Sequence, residues 1–119
     1  PEEKKALLKT LEDVQAMIGH MVGVAMESQE NPKEIYKIGL NTSRLLMATG
    51  DLIIAWLLLR QADIAQSKLA NAGRDTEFYN GKIASAKFFV RSVLPHISVE
   101  RAVVESETGE IMNIAESAF

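Results

Sequence analysis

The sequence of 119 residues contains no cysteine, which excludes a disulfide scaffold, a thiol nucleophile and any zinc site built on thiolates. It has only two histidines, His20 and His96, and no Glu-x-x-His motif, so the signature of a carboxylate-bridged di-metal bundle is missing and no metal site is expected. Aromatics make up 6% of the chain, and three prolines and seven glycines are too few for a disordered or collagen-like polymer. Neither sign of charge dominates: thirteen basic against sixteen acidic residues leave a net charge of −3, which gives no reason to expect a nucleic-acid surface. The strongest apolar run, residues 52–59 between Asp51 and Arg60, is much shorter than the roughly 20 residues a spanning helix needs, so it is read as part of a central helix and no membrane span is expected. The start, Pro1-Glu2-Glu3-Lys4-Lys5, shows no signal-peptide apolar region. Pro1 has two readings, an internal residue of a longer chain or a native start whose Met was removed.

What is present is aliphatic residues, within a 47% hydrophobic total, placed at helical intervals. Leu7, Leu11, Val14, Ile18, Met21 and Ala25 advance by alternating steps of four and three, predicting a helix over 3–28. Gly19 and Gly23 share one face of it and are expected to admit another helix closely. Asn31-Pro32-Lys33-Glu34 places Asn at an N-cap, Pro at the first helical position and Glu at the third, which starts a second helix. That helix is expected over 32–70, with a seam of Ile35, Ile38, Thr42, Leu45, Thr49, Leu52, Trp56 and Leu59. Around residues 52–59 it is apolar on every side, which predicts burial on every side, and Gly50-Asp51 is a place for a bend. Asn71-Ala72-Gly73 is a stop and Asp75 a cap for a third helix over 76–107, with a seam of Tyr79, Ile83, Ala86, Val90, Val93 and Ile97. Pro95 removes one backbone donor inside that helix; because the seam resumes at Ile97, a kink is expected rather than a stop. Thr108-Gly109 ends it and residues 109–119 form a tail lying across the bundle or a neighbour. No run alternates with a period of two, so the fold expected is all-α. It is an antiparallel bundle of three long helices, four if helix two or three breaks, forming a single domain over 1–119.

Residues that could carry chemistry are few. Most glutamates sit at helix ends and polar faces, where they complement helix dipoles. Asp51 heads the apolar run, so it is the candidate for a buried ion pair with a base such as Lys82 or Lys87. Trp56, Phe78, Tyr79, Phe88 and Phe89 occupy helical positions and read as core; if Trp56 is packed, its truncation costs roughly 3–5 kcal/mol. Adjacent Phe88 and Phe89 cannot both face one core, so one of them marks a second buried surface. Three helices leave one side of a central helix thinly covered, and a large exposed apolar patch implies a partner.

The segment from Tyr36 to Arg60, ending Ala55-Trp56-Leu57-Leu58-Leu59-Arg60, is followed by Phe78-Tyr79-Asn80-Gly81-Lys82-Ile83-Ala84-Ser85-Ala86-Lys87-Phe88-Phe89 and then Leu94-Pro95. In that order these residues resemble the C-terminal helical domain of FAD-dependent acyl-CoA dehydrogenases, in particular the subgroup that includes 3-methylmercaptopropionyl-CoA dehydrogenase and related bacterial enzymes. The resemblance covers roughly residues 31–119 and departs from the family at Ile53-Ile54-Ala55, where small residues often precede the Trp. It implies a parent enzyme in which a glutamate removes the α proton of an acyl-CoA, the β hydrogen leaves as hydride to the flavin, and electrons pass on to an electron-transfer flavoprotein. It implies a cytoplasmic homo-oligomer. The base and most FAD contacts belong to the preceding core, so no catalytic or cofactor-binding residue is assigned here, and the segment alone is expected to be inactive. Trp56, Arg60, Phe88 and Phe89 are its packing or interface candidates. The competing expectation is a free-standing helical dimerisation module without catalysis.

Overall fold

The computed structural model describes residues 1–119 and is helical throughout, without a strand. Three long helices are present: α1 (Glu2–Glu27), α2 (Ile35–Lys68) and α3 (Thr76–Ser92), followed by a shorter α4 (His96–Ser106). Short 3₁₀ turns flank α2 and two more, Glu110–Asn113 and Glu116–Ala118, form the exposed tail.

Each boundary has a local cause. α1 ends in a turn at Ser28, and Asn31 leaves it in an extended conformation (φ −123°, ψ 94°) before Pro32 opens the 3₁₀ turn that leads into α2. The expected start therefore holds, yet the Asn31 side chain makes no capping hydrogen bond. Asp75 makes none either; Thr76 Oγ1 instead donates to the Gly73 carbonyl at 2.7 Å. Gly73 closes the stop after α2 with φ +55°, a left-handed angle that costs a side-chain-bearing residue roughly 1–2 kcal/mol. α2 runs unbroken through Gly50-Asp51.

The kink expected at Pro95 is a break. The Val93 and Leu94 amides both donate to the Phe89 carbonyl (2.9 and 3.3 Å), three residues form a turn, and α4 restarts after Pro95. Proline cannot supply the next ladder donor and crowds the carbonyl four residues earlier. The break turns Leu94 into the core, where it is buried with Ile97 and Val104.

The core is thin. It gathers Val14 and Met17 from α1, Ala48 and Ala55 from α2, Val90 from α3, and Leu94, Ile97 and Val104 around α4. The helix seams are rotated from those read in the sequence. α1 turns Thr10, Asp13 and Met17 inward and leaves Leu11 and Ile18 exposed; α2 presents Asn41, Ala48 and Ala55, spaced seven apart, to its neighbours. Small side chains at that line let helices pack closely on either side of α2. The expectation that α2 is buried on every side is overturned: Ile53, Ile54, Trp56 and Leu57 are all close to half exposed.

The molecule measures 67 × 30 × 17 Å. Its radius of gyration is 19.7 Å, against about 13.5 Å for a compact domain of this length. Its accessible surface is 8236 Å², about 1,900 Å² more than a monomer of this mass normally exposes. At 17 Å the layer is less than two helix diameters thick, so α2 has neighbours on its flanks and back and none in front.

Candidate functional site

Two polar clusters tie α4 to the first two helices. Asp13, on α1 and 1% exposed, is the acceptor at the centre of the first. Lys9 Nζ donates to its Oδ1 at 2.6 Å, Arg101 Nη1 to the same oxygen at 2.9 Å, and Ser98 Oγ to Oδ2 at 2.6 Å. Arg101 also donates through Nε to Glu105 at 2.8 Å. Burial alone would raise the Asp13 pKa, but the hydrogen bonds from Lys9, Ser98 and Arg101 together outweigh it and hold the carboxyl below its ordinary range. The hydrogen bonds that Arg101 donates, to Glu105 first and then to Asp13, raise its own pKa. In the second cluster, Arg44 on α2 donates to Glu100 at 2.8 Å, and His96 Nε2 lies 2.9 Å from the other carboxylate oxygen. The Arg44 hydrogen bond is the main reason that Glu100 is held low.

Neither cluster is built for proton transfer. Asp13 and Glu100 are each neutralised by a cation and lie low, the opposite of a general base tuned towards neutrality. No group of three His, Asp or Glu side chains is placed to hold a metal. These are struts that fix α4 against α1 and α2. Asp13 lies outside the apolar seam of Leu7, Leu11, Val14, Ile18, Met21 and Ala25. The Lys9–Asp13 and Arg101–Glu105 spacings of four residues were the visible local signal; the contact across 88 residues left none.

The residues singled out in the sequence lie elsewhere. Asp51 is half-buried and forms no ion pair with Lys82, Lys87 or any other base of this chain. Trp56 is 48% exposed rather than packed in the core, and the Arg60 guanidinium stands over its ring at 5.2 Å. Phe89 packs against the core, whereas Phe88 points outward and is 67% exposed. Trp56 and Arg60 border the largest cavity, about 420 Å³, where the start of α1 meets the second half of α2 and Lys87 of α3.

The largest continuous feature is the uncovered front of α2. At 100° per residue, Leu46, Met47, Ile53, Ile54, Leu57 and Ile64 fall on one side, with Gly39, Ser43, Gly50 and Gln61 between them. From Ile35 to Ile64 this strip is about 43 Å long and its own positions carry no charge; Lys37, Arg44, Asp51 and Asp63 lie on other sides, and Arg60, seven residues after Ile53, stands at its edge. It continues onto α1 through a wholly apolar groove of about 240 Å³ between Leu7, Leu8 and Leu11 and Leu52, Ile53 and Trp56. Gly19 and Gly23 were expected to admit a second helix, yet a Cβ built on either of them meets nothing of this chain within 4 Å, and the same holds at Gly39 and Gly50 of α2. The segment Pro32–Asn71 is also long and apolar enough to cross a membrane by length and composition, with a mean hydropathy of 1.4 over its best window. The run of residues 52–59 alone had concealed this. Its back, however, carries Asn41 into the interior and Arg44 into an ion pair with Glu100.

Comparison with known proteins adds a family. Residues 1–115 match the family described as "Acetyl-CoA dehydrogenase C-terminal like". The sequence is 42% identical to the broad-specificity linear acyl-CoA dehydrogenase FadE5 of Mycobacterium tuberculosis, over 98% of this chain and 20% of that protein. It is 37% identical to a butyryl-CoA dehydrogenase of Syntrophomonas wolfei over 69% of this chain and 14% of the relative. It is 40% identical to the 3-methylmercaptopropionyl-CoA dehydrogenase of Ruegeria pomeroyi over 55% and 11%. The chain thus spans a fifth or less of the length of each of these relatives.

Proposed function

We propose, from the premise that this chain belongs to the family of acetyl-CoA dehydrogenase C-terminal-like domains, that it is the C-terminal helical module of an acyl-CoA dehydrogenase. The parent enzyme oxidises an acyl-CoA to a trans-2-enoyl-CoA with FAD and hands electrons to an electron-transfer flavoprotein. The observation that carries the reading is the match along nearly the whole chain, at 42% identity, to a dehydrogenase five times as long. The module, residues 1–119, is a single antiparallel bundle that packs on the dehydrogenase core and supports its subunit association in a cytoplasmic homo-oligomer. Trp56, Arg60 and Phe88 belong to its contact surfaces, and α2 is a docking helix rather than a membrane span.

The residues of this chain do not build a flavin site. The largest cavity sets three cations, Lys4, Arg60 and Lys87, against two carboxylates, Glu3 and Asp63, and none of its lining residues is a glycine that would cradle a diphosphate. FAD and the catalytic base are therefore assigned to the rest of the parent, and this module by itself is inactive. Purification of the full-length parent tests the reading: bound flavin should bleach on addition of an acyl-CoA. Deletion of the module should lower stability or change the subunit number of the remaining enzyme. A parent without flavin, or with flavin indifferent to acyl-CoA, would overturn the proposal.

A further inference from the structure

We infer that the uncharged front of α2, with the adjoining groove on α1, is the face that docks on the upstream dehydrogenase core of the same polypeptide, rather than on a second copy of this module. The inference rests on the proposed function above and names the surface and its occupant.

Three observations support it. The first is area. The layer exposes about 1,900 Å² beyond what a compact monomer of its mass would, enough for a stable protein interface on one side. The second is chemistry. The strip carries no charge over about 43 Å and its glycines lack neighbours, so it suits desolvation against a close-packed apolar surface. The third is connectivity. Pro1 lines the cavity that also takes in Leu7 and Trp56, and these two residues line the apolar groove as well, so the start of α1 lies next to that groove. The relatives are five times longer than this match, and a covalently attached core is present at roughly millimolar effective concentration. A second copy at micromolar concentration must bind about a thousandfold more tightly to displace it.

The test is site-specific photo-cross-linking in the full-length parent. A benzophenone side chain is placed at Leu46, Ile53 or Leu57 on the strip, and at Glu12 on a polar face as the control. Oligomers are assembled from mixed nitrogen-14 and nitrogen-15 subunits, and cross-linked peptides are read by mass spectrometry. The expected result is links from the strip to upstream peptides, with both halves carrying the same isotope, at several-fold higher yield than from Glu12. Links between two copies of the module, mixed-isotope links to another subunit's core, or yields equal to the control would each overturn the inference. Flavin bleaching by acyl-CoA, measured on the same preparation, reports on the dehydrogenase reading independently of where the links fall.

Discussion

Ser98 Oγ donates a hydrogen bond of 2.6 Å to Asp13 across 85 residues of sequence, joining the middle of α1 to the first turns of α4. Arg101, one turn further on, donates to the other Asp13 oxygen, so a single buried carboxylate fixes both the position and the rotation of α4. Without this anchor, the three-turn helix that follows the break at Pro95 would be held by Ile97, Val104 and the Arg44–Glu100 pair.

Asp13→Ala should therefore destabilise the module by about 2 kcal/mol, because Ser98 and Arg101 lose their acceptor while Arg101 keeps Glu105. Urea unfolding of the module's transition measures it. A loss under about 0.5 kcal/mol would mean that the cluster contributes no more than a surface ion pair.

Acid should act through the same carboxylates. Asp13 and Glu100 are both held below their ordinary values of 3.8 and 4.5. A folded-state pKa below the unfolded one gives stability that is complete above the ordinary value and drains as pH falls through the folded value. The urea midpoint should be flat from pH 7 to about 5 and fall below about 4. Asp13→Asn should remove part of that acid slope; equal slopes in the two proteins would refute the assignment.

The aromatic residues should separate by position. Phe89→Ala removes a ring packed on the core and should cost about 3 kcal/mol, whereas Phe88→Ala should stay within about 0.5 kcal/mol in the isolated chain. Trp56→Ala should fall between them, near 1 kcal/mol, since half the ring is in water and its firmest partner is Arg60. The emission of Trp56, the only tryptophan of the chain, should be solvent-shifted and open to acrylamide quenching.

Glycine substitutions offer a contrast between the module alone and in its parent. Gly50→Ala meets open space and should stabilise the isolated chain by about 1 kcal/mol through helix propensity. In the parent the gain should vanish or reverse if a neighbour sits close over that position. Gly109→Ala, at φ +74°, should cost about 1 kcal/mol in either setting.

Much of the secondary structure was legible along the chain, because its causes are local. Pro32 opens the entry to α2, Gly73 supplies the left-handed stop, and steps of three and four mark all the long helices. The consequence of Pro95 was half legible. The missing donor is a sequence fact, but whether the helix resumes in line or turns depends on where Leu94 finds a core.

The sequence by itself determined an all-helical module and, through its order of packing motifs, its kinship with acyl-CoA dehydrogenase C-terminal domains. It also determined that thiol chemistry is absent, since that is a matter of composition. Tertiary structure decided which side of each helix faces in. An apolar stripe wider than one neighbour can cover does not specify its own rotation. The rotation followed from the Asp13 cluster, which buried Met17 and left Leu11 and Ile18 outside, and from the small residues Ala48 and Ala55, which drew neighbours to the back of α2. Its front was left uncharged and bare because a sheet of helices 17 Å thick has only one covered side.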